Sequence, residues 1–404
     1  MAENNWIGLA EAVAQVDTLT VGGTIEAGDI FTITVTGLDG STHEISFTAT
    51  DTTIATVVAG LVEVWNASTN ELCTPVTAVD DSPDIIMTAD TAGVGFTVTV
   101  ETTESDGGAA DAQTFTRAAT TANTGPNNWD NVDNWSLGVL PGAASGHEVN
   151  IEDAEIYYGL DQSGISNTLA ELNILRCKIG VNPVDGASVI YFQIKATKVN
   201  LGKNTGLGSS TEKSPINLDT GATASTVYIY NTGSNSDTTM PAVRIKANSA
   251  STKVWALTGA QNPVGLAYED DETATFGEIV STGGNIHIGR GVTMTSLYVN
   301  GGTVHTSSGA GSIDLQSGTI KTYHDAAFTT VVNYRGLFES NATGTIGTLT
   351  AKSTVDFTKN KEPRTVTTAK LTKGGSIAYD VENMTFTNGI VPEEASGSYT
   401  VTAA

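Results

Sequence analysis

Basic residues are scarce in this sequence of 404 residues, and none precedes Arg117. The chain has 44 acidic residues against 19 lysines and arginines, which gives a formal net charge of −25. Residues 1–150 contain 21 acidic residues and one basic residue, so they carry −20, and the remainder carries −5. An acidic surface repels nucleic acid and anionic membranes. We therefore expect neither as a partner, and a basic protein surface or cations instead.

Cysteines, aromatic residues and long apolar segments are also few. Two cysteines, Cys73 and Cys177, exclude a disulfide-rich scaffold. The first 17 residues lack both the basic and the long apolar part of a secretory signal, and no apolar run approaches the ~18 residues of a membrane-spanning helix. We therefore expect a protein made in a cytoplasm. With aromatic residues at 6% and 43 glycines, the composition favours short strands and many turns.

The chain begins with a segment whose apolar side chains are candidates for docking. We interpret residues 1–16 as an N-terminal arm, and residues 119–128 ("ATTANTGPNN") as a linker by composition. The docking hypothesis rests on four side chains of the arm: Trp6, Ile7, Leu9 and Val13.

Between the arm and the linker, residues 17–118 predict a small α+β docking or assembly domain. Two alternating strands surround Asp39-Gly40 in residues 30–50, a pattern typical of a hairpin. Residues 51–68 repeat apolar side chains at helical spacing, with Asp51, Thr52 or Thr53 as the N-cap. The segments "DIIMTAD" and "GVGFTVTVET" are predicted to form a further strand pair, which gives the order ββαββ.

Internal repeats dominate the last third of the chain. "EIVSTGGNIHIGRG", "SLYVNGGTVHTSSG" and "SIDLQSGTIKTYHD" begin at residues 278, 296 and 312, and looser copies begin at 331, 348 and 369, roughly 16–21 residues apart. Such a period, with one short strand–turn–strand in each copy, is typical of a solenoid. We predict a right-handed parallel β-helix, irregular and rich in loops over 129–275, then regular over 276–404 with a C-terminal cap. The alternative is a set of β-sandwich domains with coincidental hairpins.

Side chains with binding or catalytic chemistry form no complete motif. Four neighbouring carboxylates, Glu269, Asp270, Asp271 and Glu272, are a weak candidate for Ca²⁺, and no other cofactor is expected. His287 and His305 lie one repeat apart, which predicts a ladder of stacked rings. Trp129 and Trp135 are expected to cap the β-helix, with sugar stacking as the alternative. Four carboxylates of the kind that a sugar-cleaving enzyme uses, Asp314, Asp325, Glu339 and Asp356, show no defensible pairing, so we assign no catalytic residue.

Several segments resemble structural proteins of tailed-bacteriophage virions. They are "WIGLAEAVAQVDTLTVGGTIEAGDIFTITVTG", "ADTAGVGFTVTV", "AQTFTRAATTANTGPNNWDNVDNWSLGVLPG" and "EIYYGLDQSG", all within roughly residues 1–165. The resemblance implies a non-enzymatic head decoration or head fibre protein, with a small N-terminal domain on a β-helical body. It further implies assembly on the capsid surface through the major capsid protein or another virion protein, as a homotrimer. The alternatives are a glycan-binding adhesin and a polysaccharide-degrading tailspike enzyme.

Overall fold

The computed structural model of the protein describes residues 2–104, 112–181, 189–203, 215–232, 240–257, 263–393 and 398–403. Over these residues the chain is mainly β, with one α-helix, α1 (Ile54–Ala67), and one 3-10 helix (Val132–Asn134). Within this described part, no helix has the length and apolarity needed to cross a membrane. Seven strands form two antiparallel sheets: β2 (Val16–Gly22), β3 (Ile30–Thr36), β4 (Thr42–Thr48), β5 (Val76–Asp81), β6 (Asp84–Ala89), β7 (Thr97–Thr103) and β8 (Thr114–Thr121).

The other strands of the described chain belong to one large parallel sheet. They are β1 (Glu3–Asn5), β9 (Glu148–Glu152), β10 (Glu155–Ile156), β11 (Asp161–Gln162), β12 (Leu169–Leu175), β13 (Lys178–Ile179), β14 (Phe192–Ile194), β15 (Ala196–Leu201), β16 (Ile216–Asp219), β17 (Thr226–Ile229), β18 (Val243–Lys246), β19 (Lys253–Ala256), β20 (Val264–Leu266), β21 (Thr273–Ser281), β22 (Asn285–Ile288), β23 (Gly291–Thr306), β24 (Ala310–Thr322), β25 (Phe328–Asn333), β26 (Leu337–Ser340), β27 (Ile346–Ala351), β28 (Thr354–Asp356), β29 (Arg364–Leu371), β30 (Ser376–Tyr379), β31 (Met384–Phe386), β32 (Ile390–Pro392) and β33 (Thr400–Ala403).

The predicted helix and hairpin of the N-terminal unit are confirmed. Strands β3 and β4 pair antiparallel around Asp39-Gly40, and Gly40 has a φ of +81°, which glycine adopts without strain. Helix α1 begins after Thr53, whose side chain makes no capping bond, while Asp51 Oδ1 accepts from the Thr53 N–H at 2.8 Å. The helix buries the apolar side chains on one face, which are Val57, Val58, Leu61 and Trp65, in the core between the two sheets. Its amphipathic pattern therefore specified this face correctly.

The predicted pairing of residues 84–90 with 93–102 is wrong. Strand β6 instead pairs with β5 and β2, while β7 pairs with β3. The sheet orders are β5-β6-β2-β8 and β4-β3-β7, so the unit reads βββαββββ rather than ββαββ. Strand β8 continues to Thr121, so the first residues of the predicted linker 119–128 belong to a strand. Alternation of apolar and polar residues marks the buried side of a strand, but it does not identify the neighbouring strand.

In the large sheet every pair of named strands is parallel, and successive repeats pair with one another. In the regular part, Glu278 pairs with Ser296, 18 residues later, and Ser296 pairs with Ser312, 16 residues later. This pairing confirms that repeats begin at residues 278, 296 and 312, as predicted. In the part of the sheet that precedes this regular region, paired residues are farther apart in the sequence. Lys198, for example, pairs with Thr226, which lies 28 residues later. Antiparallel β-sandwich domains do not account for this pairing.

Gly301 and Gly302 lie inside one strand, whereas the repeat pattern predicted a turn between two short strands. Strand β23 runs from Gly291 to Thr306 through both glycines, and its pairing with β24 shifts register at this point. Gly302 has a φ of +74°, and a Cβ at this position would lie 2.4 Å from the carbonyl oxygen of Gly284 in the preceding layer. Glycine is therefore required here both by backbone conformation and by the close approach of the layers.

Two separate hydrophobic cores result from this arrangement. One lies between the antiparallel sheets and α1 and runs in sequence from Leu19 to Phe115. The other is continuous through the parallel sheet, from Trp129 to Met384. Along each strand, the side chains in this core alternate with side chains that point away from it. Leu297, Val299 and Val304 are examples of the buried set. The strands of the parallel sheet therefore share one core.

Candidate functional site

The N-terminal arm is held against the parallel sheet. The backbone N–H of Trp6 donates to the carbonyl of Asn150 at 2.8 Å. The Trp6 ring packs edge-on against the Trp135 ring, with 4.9 Å between their centroids. Ile7 and Leu9 remain 43% and 75% exposed. Of the predicted docking residues, Trp6 therefore packs within the chain, whereas the next two apolar side chains are accessible to a partner.

Asn134, a residue that the sequence did not single out, fastens this arm. Its side chain is fully buried, accepts from the Ala10 N–H at 2.9 Å, and donates to the carbonyl of Gly125 at 2.8 Å. Farther along the arm, the Val13 N–H donates to the carbonyl of Thr124 at 2.9 Å, while the Val13 side chain is 36% exposed. One asparagine within a polar segment carries no sequence signal of such a contact, so only the fold reveals it.

Trp129 and Trp135 form an aromatic cluster beneath the first strand. Their rings lie 4.5 Å apart, Trp129 is 4.5 Å from Phe192, and the Trp135 indole N–H donates to the carbonyl of Trp129 at 2.8 Å. Both tryptophans are at most 1% exposed. The next residue, Ser136, donates its N–H to the carbonyl of Asn5 of β1 at 2.9 Å and so covers the edge of this strand. These side chains therefore cover the first layer, and they present no face to a sugar.

The acidic cluster at residues 269–272 pairs with a buried arginine. Arg244 is fully buried, its guanidinium donates to the carboxylate of Glu269, and it lies 5.2 Å from the ring centroid of Tyr268. The Glu269 N–H donates to the Glu272 carboxylate at 3.2 Å. Across the described ranges, no three His, Cys, Asp or Glu side chains form a group that could hold a metal ion. The four carboxylates predicted to bind calcium are therefore not gathered into such a group.

Of the four carboxylates of the kind that a sugar-cleaving enzyme uses, two lie side by side and the other two lie elsewhere. Glu339 and Asp356 lie directly opposite each other on β26 and β28. Glu339 lies 3.9 Å from the Lys321 ammonium group, and Asp356 accepts from the Thr358 N–H at 2.8 Å. The other two, Asp314 and Asp325, pair with Gln316 and Arg290 elsewhere. That none of these groups is catalytic stays a prediction.

The predicted stacking of His287 on His305 is confirmed. The two residues pair on β22 and β23, and their rings lie 4.6 Å apart with an angle of 12° between planes. Tyr268 and Tyr323 extend the column on either side, each 5.9 Å from the nearer imidazole. Burial, with the charge of His305, lowers the pKa of His287 to about 4. Burial and the nearby Lys321 lower the pKa of His305. Both rings are therefore neutral near pH 7.

This column predicts a loss of stability in acid. Because the pKa of His287 lies below the unfolded value of 6.5, protons bind the unfolded chain first as the pH falls. The stability is fully present above pH 6.5 and is lost as the pH approaches 4. We expect a loss of about 2 kcal/mol over this window, after allowing for the partial exposure of the ring.

Urea unfolding at several pH values measures this loss, with His287→Gln as the matched variant. The variant should be less stable near pH 7 but show a flatter dependence between pH 6.5 and 4. The pKa values of Asp39 and Asp51 are lowered from 3.8 by hydrogen bonds from neighbouring side chains and N–H groups, so these carboxyls titrate below the window. Equal slopes for both proteins would contradict the assignment to His287.

A second group of rings lies on another face of the parallel sheet. Tyr228 and Trp255 pair on β17 and β19, with 6.1 Å between ring centroids. Tyr230 lies 6.2 Å from Tyr228, and the Lys198 ammonium lies 5.9 Å from the same ring. All three rings are half-buried, so part of each is open to solvent. The sequence "STVYIYNTG" held the two tyrosines, but only the register places the tryptophan beside them.

Comparison with known proteins gives no relative: no family model, no curated protein and no solved structure matches this chain.

Proposed function

We propose that the protein is a non-enzymatic structural protein of a virion, and that its parallel sheet coils as a right-handed β-helix projecting from the capsid. The observation that carries this proposal is the continuous parallel pairing. From β1 to β32, the strands pair parallel with those of the neighbouring repeats, over one core that runs from Trp129 to Met384. Such a stack is rigid because neighbouring layers bond each inner strand on both edges.

The N-terminal end supports docking on the particle. The arm is anchored by its backbone, so Ile7 and Leu9 project in a fixed position. The first 150 residues carry nearly all of the net negative charge, which suits a basic surface on the partner. The proposed partner is the major capsid protein or another virion protein, and the proposed state is a homotrimer on the capsid surface.

Immunogold electron microscopy on purified virions of the phage that encodes the chain tests this function. Gold should lie on the capsid, and labelling should fall when Leu9→Asp replaces the native chain. Val381→Asp is the matched control, because Val381 is 59% exposed and belongs to the other end of the chain. Gold on the tail, absence from virions, or equal labelling for both variants would reject the proposed docking. Light scattering of the purified protein tests the trimer.

Glycan binding is the second candidate, favoured by the ring group around Trp255. Aromatic faces beside a lysine are suited to stacking on the apolar face of a sugar. Trp255→Ala should weaken binding of the full chain to a glycan array without changing its labelling on virions. Unchanged array binding would remove this surface as the glycan site.

A further inference from the structure

A cavity lies where the N-terminal unit meets the beginning of the parallel sheet. Its volume is about 590 Å³, within the range of small-molecule sites. Val35, Leu72 and Phe96 of the N-terminal unit form apolar walls, and Asn123 and Asn128 face them from the segment that leads into the parallel sheet. Leu38, another lining residue, is 40% exposed, so the cavity reaches the surface.

Two asparagines in this cavity have hydrogen-bonding atoms that nothing in the described chain satisfies. Both Oδ1 and Nδ2 of Asn123 are buried without a partner, as is Oδ1 of Asn128, which is 6% exposed. Leaving a buried polar atom unbonded is costly, and such atoms are rare in folded proteins. Two lone acceptors and one lone donor in one cavity therefore point to a ligand that both donates and accepts.

The neighbouring polar side chains are, in contrast, bonded and serve to hold the cavity in shape. Gln15 donates to the carbonyl of Phe96 at 2.8 Å and accepts from its N–H at 3.1 Å. The Tyr158 hydroxyl accepts from the Gly95 N–H at 2.8 Å. Among the described side chains that line the cavity, the buried polar atoms without a partner are thus confined to the two asparagines.

Gly95 lies at the centre of this group, where a side chain would displace its neighbours. A Cβ on Gly95 would lie 3.1 Å from Asn123 Nδ2, 3.1 Å from Gln15 Oε1 and 3.2 Å from Tyr158 Cε1. Gly95 does not have the left-handed φ that would require glycine for backbone reasons. Its absent side chain therefore lets the amide of Asn123 and the ring of Tyr158 lie close to the backbone at this point.

We infer that this cavity binds a neutral sugar residue. Sugar hydroxyls donate and accept at once, so neighbouring hydroxyls can satisfy the Asn123 amide and Asn128 Oδ1 together. The apolar wall, which includes Phe96, faces the carbon–hydrogen side of such a ring. The carboxylate of Asp130 also lines the cavity, and the surrounding unit is strongly acidic, so nucleotides and acidic sugars are repelled. This site is distinct from the ring group around Trp255 and does not depend on the virion proposal.

Saturation-transfer NMR on the full chain tests the site, with glucose, galactose, mannose, N-acetylglucosamine, sialic acid and AMP as probes. At least one neutral sugar should give a signal, and sialic acid and AMP should give none. Asn123→Ala should weaken binding by at least about tenfold, since it removes a donor and an acceptor. The Tm of this variant should not fall, because no bond of the free protein is lost.

One control variant distinguishes this cavity from the surface of the parallel sheet. Asn300→Ala, at an exposed asparagine of that sheet, should bind as the parent does. Gly95→Ala should weaken binding by narrowing the cavity. No signal from any neutral sugar, a preference for the charged probes, unchanged binding in Asn123→Ala, or a lowered Tm in that variant would each overturn the inference.

Discussion

Trp135→Ala is expected to lower the free energy of unfolding by about 3–5 kcal/mol, the range for removing a large buried aromatic side chain. The indole is 1% exposed, contacts Trp6 and Trp129, and donates a hydrogen bond to the carbonyl of Trp129. Its removal opens a cavity under the first strand of the parallel sheet. Urea unfolding followed by circular dichroism measures the change.

The same substitution is expected to loosen the N-terminal arm. Trypsin cannot report this, because the first basic residue is Arg117, but thermolysin cuts at Ile7 and Leu9 once the arm detaches. Trp255→Ala is the matched control, since its ring is half-buried on the sheet surface, and it should cost less than about 2 kcal/mol without exposing the arm. Equal effects of the two substitutions would show that the cluster does not stabilise the first layer.

Gly302→Ala is expected to destabilise the protein by more than about 3 kcal/mol, through backbone strain and a steric clash together. The new Cβ would lie 2.4 Å from the carbonyl oxygen of Gly284, a backbone atom that cannot rotate away. The contact repeats in the next layer, where a Cβ on Gly318 would lie 2.6 Å from the carbonyl of Gly302. The glycines therefore form a column that lets successive layers approach.

Gly374→Ala separates strain from clash, because Gly374 has a φ of +83° but no atom within 4 Å of its Cβ position. We expect this control to cost only about 1–2 kcal/mol, the penalty of a left-handed conformation for alanine. Thermal unfolding of both variants gives the difference. If Gly302→Ala were no more harmful than Gly374→Ala, the layers would not be stacked as closely as the structure places them.

Local patterns predicted those features whose partners lie nearby in the sequence. The 3.6-residue spacing over 51–68 identified α1 and its buried Trp65, and Asp39-Gly40 identified the β3–β4 hairpin. The repeat period placed His287 directly beside His305. The helix, the hairpin and the histidine pair each depend on a short or constant separation between residues along the chain. The sequence shows such a separation directly.

Contacts between distant segments could not be predicted in the same way. Nothing in the alternation of β6 indicates β2 as its neighbour, and nothing in the arm indicates that β1 pairs with β9, as in Asn5 opposite Asn150. Arg244 and Glu269 are 25 residues apart in the chain, and single charged residues carry no pattern that would pair them. Register and loop length decide such contacts, and several registers can bury the same apolar face.

The sequence by itself determined the charge of the chain, the predominance of strands, one helix and the period of the repeats. These properties depend on composition and on short periods of apolar residues, and these are the same wherever the segment lies in the fold. Only the tertiary structure decided that Trp6 packs on Trp135 while Leu9 stays exposed, and that Asn123 faces an apolar wall without a hydrogen-bond partner in the described chain. Side chains far apart in sequence meet at these points, and the environment of each is set by packing around it.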